Sequence, residues 1–132
     1  MKRSLWALLL VLFLVGCGGS SSSDLPFSLS GSWRFTGHSN ALSLDFGGVA
    51  TVSQNMDVVT GIVGFEMPCG GGQVLTGTVS GTTVNLELGQ SGQQINFTGT
   101  VANGGGSMSG TYTAPLGACS TGDSGTWSAT KT

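Results

Sequence analysis

Charge is scarce in this sequence. Its 132 residues hold four Lys and Arg against six Asp and Glu, for a net charge of −2. Lys2 and Arg3 stand at the extreme N-terminus, which leaves Arg34 and Lys131 as the strong bases of everything that follows. A domain this poor in bases lacks the electrostatic footprint of a nucleic-acid binder. It also lacks the basic patch that draws a protein to anionic lipid headgroups. Histidine occurs once, as His38, and no two cysteines lie close together, so the usual zinc ligand sets cannot be assembled. There is no Asp-rich calcium loop and no Gly-x-Ser-x-Gly elbow. The glycine triplets at 70–72 and 104–106 lack the lysine and helix of a phosphate cradle. No metal or cofactor is expected. The carboxylates are scattered, and Glu66 and Glu87 read as isolated, solvated strand residues.

No hydrophobic run is long enough to cross a bilayer. The longest, Leu5 to Val15, is about half of the ~20 residues that a spanning helix needs. It follows Lys2 and Arg3 and ends at Gly16-Cys17-Gly18-Gly19, which is the layout of a secretory signal peptide. Leu14-Val15-Gly16-Cys17 resembles the lipobox of bacterial lipoproteins. That resemblance implies a diacylglycerol on the Cys17 thiol, cleavage after Gly16, and a further acyl chain such as palmitate on the new N-terminus. Anchoring is firm when two or more chains insert, since each buried CH₂ contributes ~0.8 kcal/mol. Gly18 stands where an aspartate tends to retain enterobacterial relatives in the inner membrane, so the expected place is the cell envelope, and the outer membrane in a diderm. The expected division is a leader over 1–16, a lipidated Cys17 with a Gly/Ser tether to residue 24, and one domain over 25–132.

With Cys17 taken by lipid, Cys69 and Cys119 remain as an even pair. In an oxidising compartment a disulfide is the default, and closing so long a loop would stabilise by roughly 4 kcal/mol on a chain-entropy argument.

Beyond residue 27 no helical period appears. Val84, Leu86 and Leu88 alternate with Thr83, Asn85 and Glu87; Ile95, Phe97 and Val101 with Asn96, Thr98 and Thr100; Leu42, Leu44 and Phe46 with Ser43 and Asp45. A period of two in β-branched and aromatic residues marks half-buried strands. Turn signals fall at Gly47-Gly48, Gly70 to Gly72, Ser80-Gly81, Gly89 to Gly92, Asn103 to Gly106 and Thr121 to Asp123. About eight or nine strands follow, near 30–37, 41–46, 49–54, 58–67, 74–80, 82–88, 93–102, 107–113 and 124–131.

A short pattern recurs within them: Gly, a hydroxyl residue, then an apolar one. Its copies are Gly31-Ser32-Trp33, Gly77-Thr78-Val79, Gly99-Thr100-Val101, Gly110-Thr111-Tyr112 and Gly125-Thr126-Trp127. Residues two apart share a face of a strand, so each glycine and its apolar partner point inward. Inward glycines make room for aromatic rings and let strands bend, and small closed barrels need both. The expected fold is therefore all-β: a small antiparallel up-and-down barrel whose first and last strands pair, with a compact sandwich as the alternative. Gly31-Ser32-Trp33 resembles the opening strand of the calycin barrels, the lipocalin and avidin group. In lipocalins the tryptophan closes one end and a base from beyond the last strand packs over it, a part the resemblance gives to Lys131. Trp33, Tyr112 and Trp127 are expected in the core, where they would line a cavity if the barrel holds one.

Gly122-Asp123-Ser124-Gly125 resembles the nucleophile segment of trypsin-like proteases, but a triad also needs a histidine base beside the serine. His38 lies in a polar segment, Gly37-His38-Ser39-Asn40, and reads as a solvated loop residue; Gly122 to Gly125 reads as the turn into the last strand. Arg34 should point outward, opposite Trp33. Asn96-Phe97-Thr98 is a glycosylation sequon that a bacterial lipoprotein does not normally present to that machinery. Two readings remain for a non-enzymatic, lipid-anchored barrel. One is an envelope scaffold or protein-interaction module. The other is a carrier with a small apolar ligand inside. On this reading a thiol titration of the unfolded, non-reduced protein finds Cys69 and Cys119 blocked; two reactive thiols would remove the disulfide.

Overall fold

The alternating segments form strands in a computed structural model, which describes residues 26–65, 71–89, 94–115 and 122–132. The leader, Cys17, the tether, Leu25, Glu66, Cys69 and Cys119 lie outside the described residues. The strands are β1 (Gly31–Ser39), β2 (Leu44–Asn55), β3 (Val58–Phe65), β4 (Gly71–Ser80), β5 (Thr83–Leu88), β6 (Ile95–Ala102), β7 (Ser107–Ala114) and β8 (Asp123–Lys131). Each pairs antiparallel with the next in sequence, and β1 pairs with β8, so the sheet is a closed barrel of eight strands. The closing seam runs from Trp33 opposite Lys131 to Ser39 opposite Gly125. Closure leaves no sheet edge open for pairing with another chain.

Burial follows the alternation. In β5 the inward residues Val84, Leu86 and Leu88 are buried between exposed Thr83, Asn85 and Glu87. In β8 Gly125, Trp127 and Ala129 are buried between Ser124, Thr126, Ser128 and Thr130. The recurring Gly-hydroxyl-apolar triplets place Trp33, Val79, Val101, Tyr112 and Trp127 in the core. Arg34 is exposed, as expected from its place beside Trp33.

Three expectations need correction. Residues 41–46 and 49–54 are not two strands, because Gly47-Gly48 is no turn. Both glycines sit inside β2, opposite Thr36 and Phe35 of β1. A Cβ on Gly48 would meet the Gly64 carbonyl and, at 2.8 Å, the Phe65 ring, so glycine serves close approach there. The reversal lies at 40–43, where Ser43 takes φ 50. Likewise Gly71 and Gly72 belong to β4, paired with Phe65 and Gly64. Finally, Leu42 and Leu44 are exposed rather than in the core, because Leu42 lies in the turn and Leu44 is the first residue of β2, at the barrel's end.

The inward glycines are matched to rings. The rim of the Phe46 ring occupies the place of a Cβ on Gly37, and Trp127 lies 2.9 Å from that of Gly99. Gly99 and Gly110 face each other across β6 and β7, and Gly110 faces Trp127 across β7 and β8. Gly110 also approaches the Thr98 carbonyl too closely for any side chain. Gly64, by contrast, has open space around it. Gly110→Ala should therefore lower stability by about 1–3 kcal/mol through overpacking. Gly64→Ala should leave stability unchanged or raise it by about 0.4–1 kcal/mol through loss of chain freedom when unfolded. Urea melts of the two variants check this, and equal losses would remove the distinction.

Candidate functional site

Two ends and a ring-filled middle make up the interior. At the end where β1 begins, residues 26–30 cross the barrel mouth. Phe27 packs at Gly105, in the 3₁₀ turn Asn103–Gly105 between β6 and β7. Leu29 is fully buried, and its N–H donates to Gln54 Oε1 at 2.7 Å. Trp33 is buried beneath it and donates its indole N–H to the Leu29 carbonyl at 2.8 Å. The Lys131 ammonium stands 5.4 Å from the centre of the Trp33 ring and donates to the Ser28 carbonyl at 2.6 Å. A cation over an indole face is favourable by about 0.5–1 kcal/mol at an exposed site. One tryptophan thus ties the entering chain to the last strand.

Trp127 occupies the middle. Its ring stacks on Phe35 at 5.7 Å and meets Phe97 edge-on at 5.7 Å. Its indole N–H is shared between the carbonyls of Thr111, at 3.0 Å, and Thr98, at 3.3 Å. The glycines opposite bring those two strands within its reach. Phe97 continues to Phe65 and Tyr112, and both contact Phe46 edge-on. Trp33, Tyr112 and Trp127 are all where the sequence put them, in the core, but Tyr112 and Trp127 stand in one unbroken set of ring contacts while Trp33 seals an end.

At the other end Tyr112 donates its hydroxyl to Asp123 Oδ2 at 2.7 Å. The second carboxylate oxygen accepts the backbone N–H of Ala41 at 3.0 Å and of Ser124 at 2.8 Å. Ser39 is fully buried, and its hydroxyl accepts the N–H of Leu42 at 3.1 Å. Asp123 and Ser39 thereby hold the 40–43 reversal against the start of β8. Burial disfavours the charged form of Asp123. Hydrogen bonds from Tyr112, Ala41, Ser39 and Ser124 outweigh that, and the carboxyl is held below its ordinary range. Burial, and then the neighbouring carboxylate, push the Tyr112 phenol well above its usual value. Composition alone does not single out Asp123 as the holder of this turn. The signal was the aspartate at the entrance of the last strand, next to a turn.

His38 is not a loop residue. It lies in β1 opposite Asp45 of β2 and Thr126 of β8. Its Nδ1 donates to Asp45 Oδ1 at 2.6 Å on the exposed outer face. Exposed pairs of this kind contribute about 0–1 kcal/mol. Ser124 does not share a bond with His38; its hydroxyl accepts from the Asn40 amide at 3.4 Å. The segment Gly122 to Gly125 enters β8 with its aspartate engaged in holding a turn. Among the described residues no group of three or more His, Cys, Asp or Glu is placed to hold a metal ion. No protein-family model matches the chain, and no curated protein matches it significantly.

A depressed folded-state carboxyl contributes stability above its unfolded value, near 3.9, and that contribution disappears as pH falls through the folded value. Asp123→Asn should therefore cost about 1–2 kcal/mol at pH 7 and less at a pH well below about 3.9. Denaturant melts at the two pH values read this directly. An equal cost at both would mean that the carboxylate charge plays no part.

Proposed function

We propose that this chain is an envelope lipoprotein, held at a membrane by lipid on Cys17, whose barrel acts through its outer surface as a structural or protein-interaction module rather than as an enzyme. The leader and the Leu14-Val15-Gly16-Cys17 segment support the anchor. The observation that carries the outer-surface role is the interior: ring contacts run from Phe35 through Trp127 and Phe97 to Phe65, Tyr112 and Phe46. Side chains that fill a barrel of this size leave its outside to meet other molecules. The closed barrel, the Gly31-Ser32-Trp33 strand and Lys131 over Trp33 support a calycin-like reading of the domain. That likeness also favours the second reading, a small apolar ligand carried inside.

Two measurements separate these readings. Cys17→Ser should move the protein out of the membrane fraction, and undiminished membrane attachment would overturn the anchor. Native and denatured masses of the protein released in detergent should agree once covalent lipid is counted in both. A native excess would instead identify a bound ligand and favour the carrier.

A further inference from the structure

The outer face of the barrel is not uniform. Among the described residues, the exposed large apolar side chains, Leu42, Leu44, Val49, Met56, Val58, Ile62 and Val74, lie on β2, β3, β4 or the turns that adjoin them. The outer face of β5 to β8 carries Thr, Ser, Asn and Glu instead. Ile62 and Val74 stand out most from the sheet at its centre, 63% and 61% exposed. Exposed β-branched residues clustered on one side of a closed barrel mark an interaction surface.

The shape of that surface states what fits it. Ile62 on β3 is the register partner of Val74 on β4, so the two project side by side. Two residues further along, Gly64 is the register partner of Gly72. Gly64 points outward, and nothing lies within 4 Å of where its Cβ would be. The Ile62 and Val74 knobs therefore sit beside the hollow at Gly64, offset by two residues, or about 7 Å along the strands. A surface with knobs and hollows side by side complements itself under a two-fold rotation, as the interface of a symmetric dimer must.

We propose that this face joins two copies of the chain. The two-fold axis lies across the strands, opposite the midpoint between Ile62 and Gly64. It sets β3 antiparallel against β3 of the other copy. Ile62 then seats over the other copy's Gly64, and by symmetry the other copy's Ile62 seats over Gly64 of the first. Val49, beside Gly64 on β2, faces Thr51 of the other copy. The contact is centred on two strands, as it must be between convex barrels. Charge agrees with this choice of occupant. The chain is net acidic, so two copies repel except where they meet without ionised groups. The outward side chains of β3 and β4 described here, Val58, Thr60, Ile62, Val74, Thr76 and Thr78, include none. One base, Arg34, flanks the face beside Val49, which falls short of the basic cluster that anionic lipid requires.

The test is sedimentation equilibrium of the whole protein in a density-matched detergent, over a range of concentrations. The wild type should reach the mass of two chains. Gly64→Val should remain a single chain, because it fills the hollow, and at dilutions where the wild type is also a single chain it should melt no lower, because that space is open in the monomer. Ile62→Thr, which trims an exposed knob, should weaken the dimer about tenfold or more. Thr98→Val, on the outer face of β6, should change nothing. A wild type of single-chain mass throughout would overturn the proposal. So would a Gly64→Val protein as dimeric as wild type, which would place the contact elsewhere or in shared micelles. Should the protein stay monomeric while Ile62→Thr loosens it from neutral lipid vesicles, the face meets lipid and the dimer is excluded. None of these readings depends on whether Cys17 carries lipid.

Discussion

The interior of an eight-stranded barrel is only just wide enough for side chains to fill, and this one must admit two tryptophans, a tyrosine and four phenylalanines on its inward positions. The space comes from glycine. Gly37 accepts the Phe46 ring, Gly48 lies against Phe65, Gly99 against Trp127 and Gly125 against Tyr112. Gly99 and Gly110 also let neighbouring strands come within reach of a side-chain donor, since there the Trp127 indole finds two backbone carbonyls. Glycine inside a strand ordinarily weakens it, by loss of chain entropy and of packing surface. Ring contacts, at about 0.5–1.5 kcal/mol per pair beyond burial, offset that loss, and sheet closure ties every strand to two neighbours.

The polar groups of the ends follow from the same crowding. Each of the buried indole and phenol donors is placed on a specific acceptor. Trp33 donates to Leu29, Tyr112 to Asp123, and Trp127 to Thr98 and Thr111. Among the described residues no buried side-chain nitrogen or oxygen lacks a partner. Two of these bonds fasten the ends. Trp33, with Lys131 above it, holds residues 26–30 across one mouth. Tyr112 and Asp123 hold the 40–43 reversal at the other. Because the core and both ends are fastened by groups that face inward, the outer surface is free to vary. The uncharged strip on β3 and β4 is one result of that freedom, and nothing in the folding of the monomer requires Ile62 or Val74 to be apolar.

Much of the fold was legible in the chain because strands have a fixed period. Alternation placed Val84, Leu86 and Leu88 inside, and the Gly-hydroxyl-apolar triplets placed Trp33, Tyr112 and Trp127 inside with them. The likeness of the first and last strands, Gly31-Ser32-Trp33 and Gly125-Thr126-Trp127, pointed to their pairing. Less legible was anything that depended on which strand lies beside which. A glycine pair such as Gly47-Gly48 has the composition of a turn, and only Gly64 and Phe65 across the sheet show why glycine stands there in an extended strand. His38 has the local surroundings of a loop residue, and only its place between Asp45 and Thr126 makes it part of a sheet.

By itself, then, the sequence determined the all-β class and the facing of most side chains within the strands, since both rest on local order along the chain. Tertiary structure alone decided register. Asp123 meets Ala41 and Tyr112 because β8 lies between β1 and β7. Val49, Ile62 and Val74 are solitary exposed residues in sequence, and become one surface because three strands align them. The physical reason is that cross-strand neighbours are set by hydrogen-bond pairing over long separations, which leaves no trace in the spacing of residues along the chain.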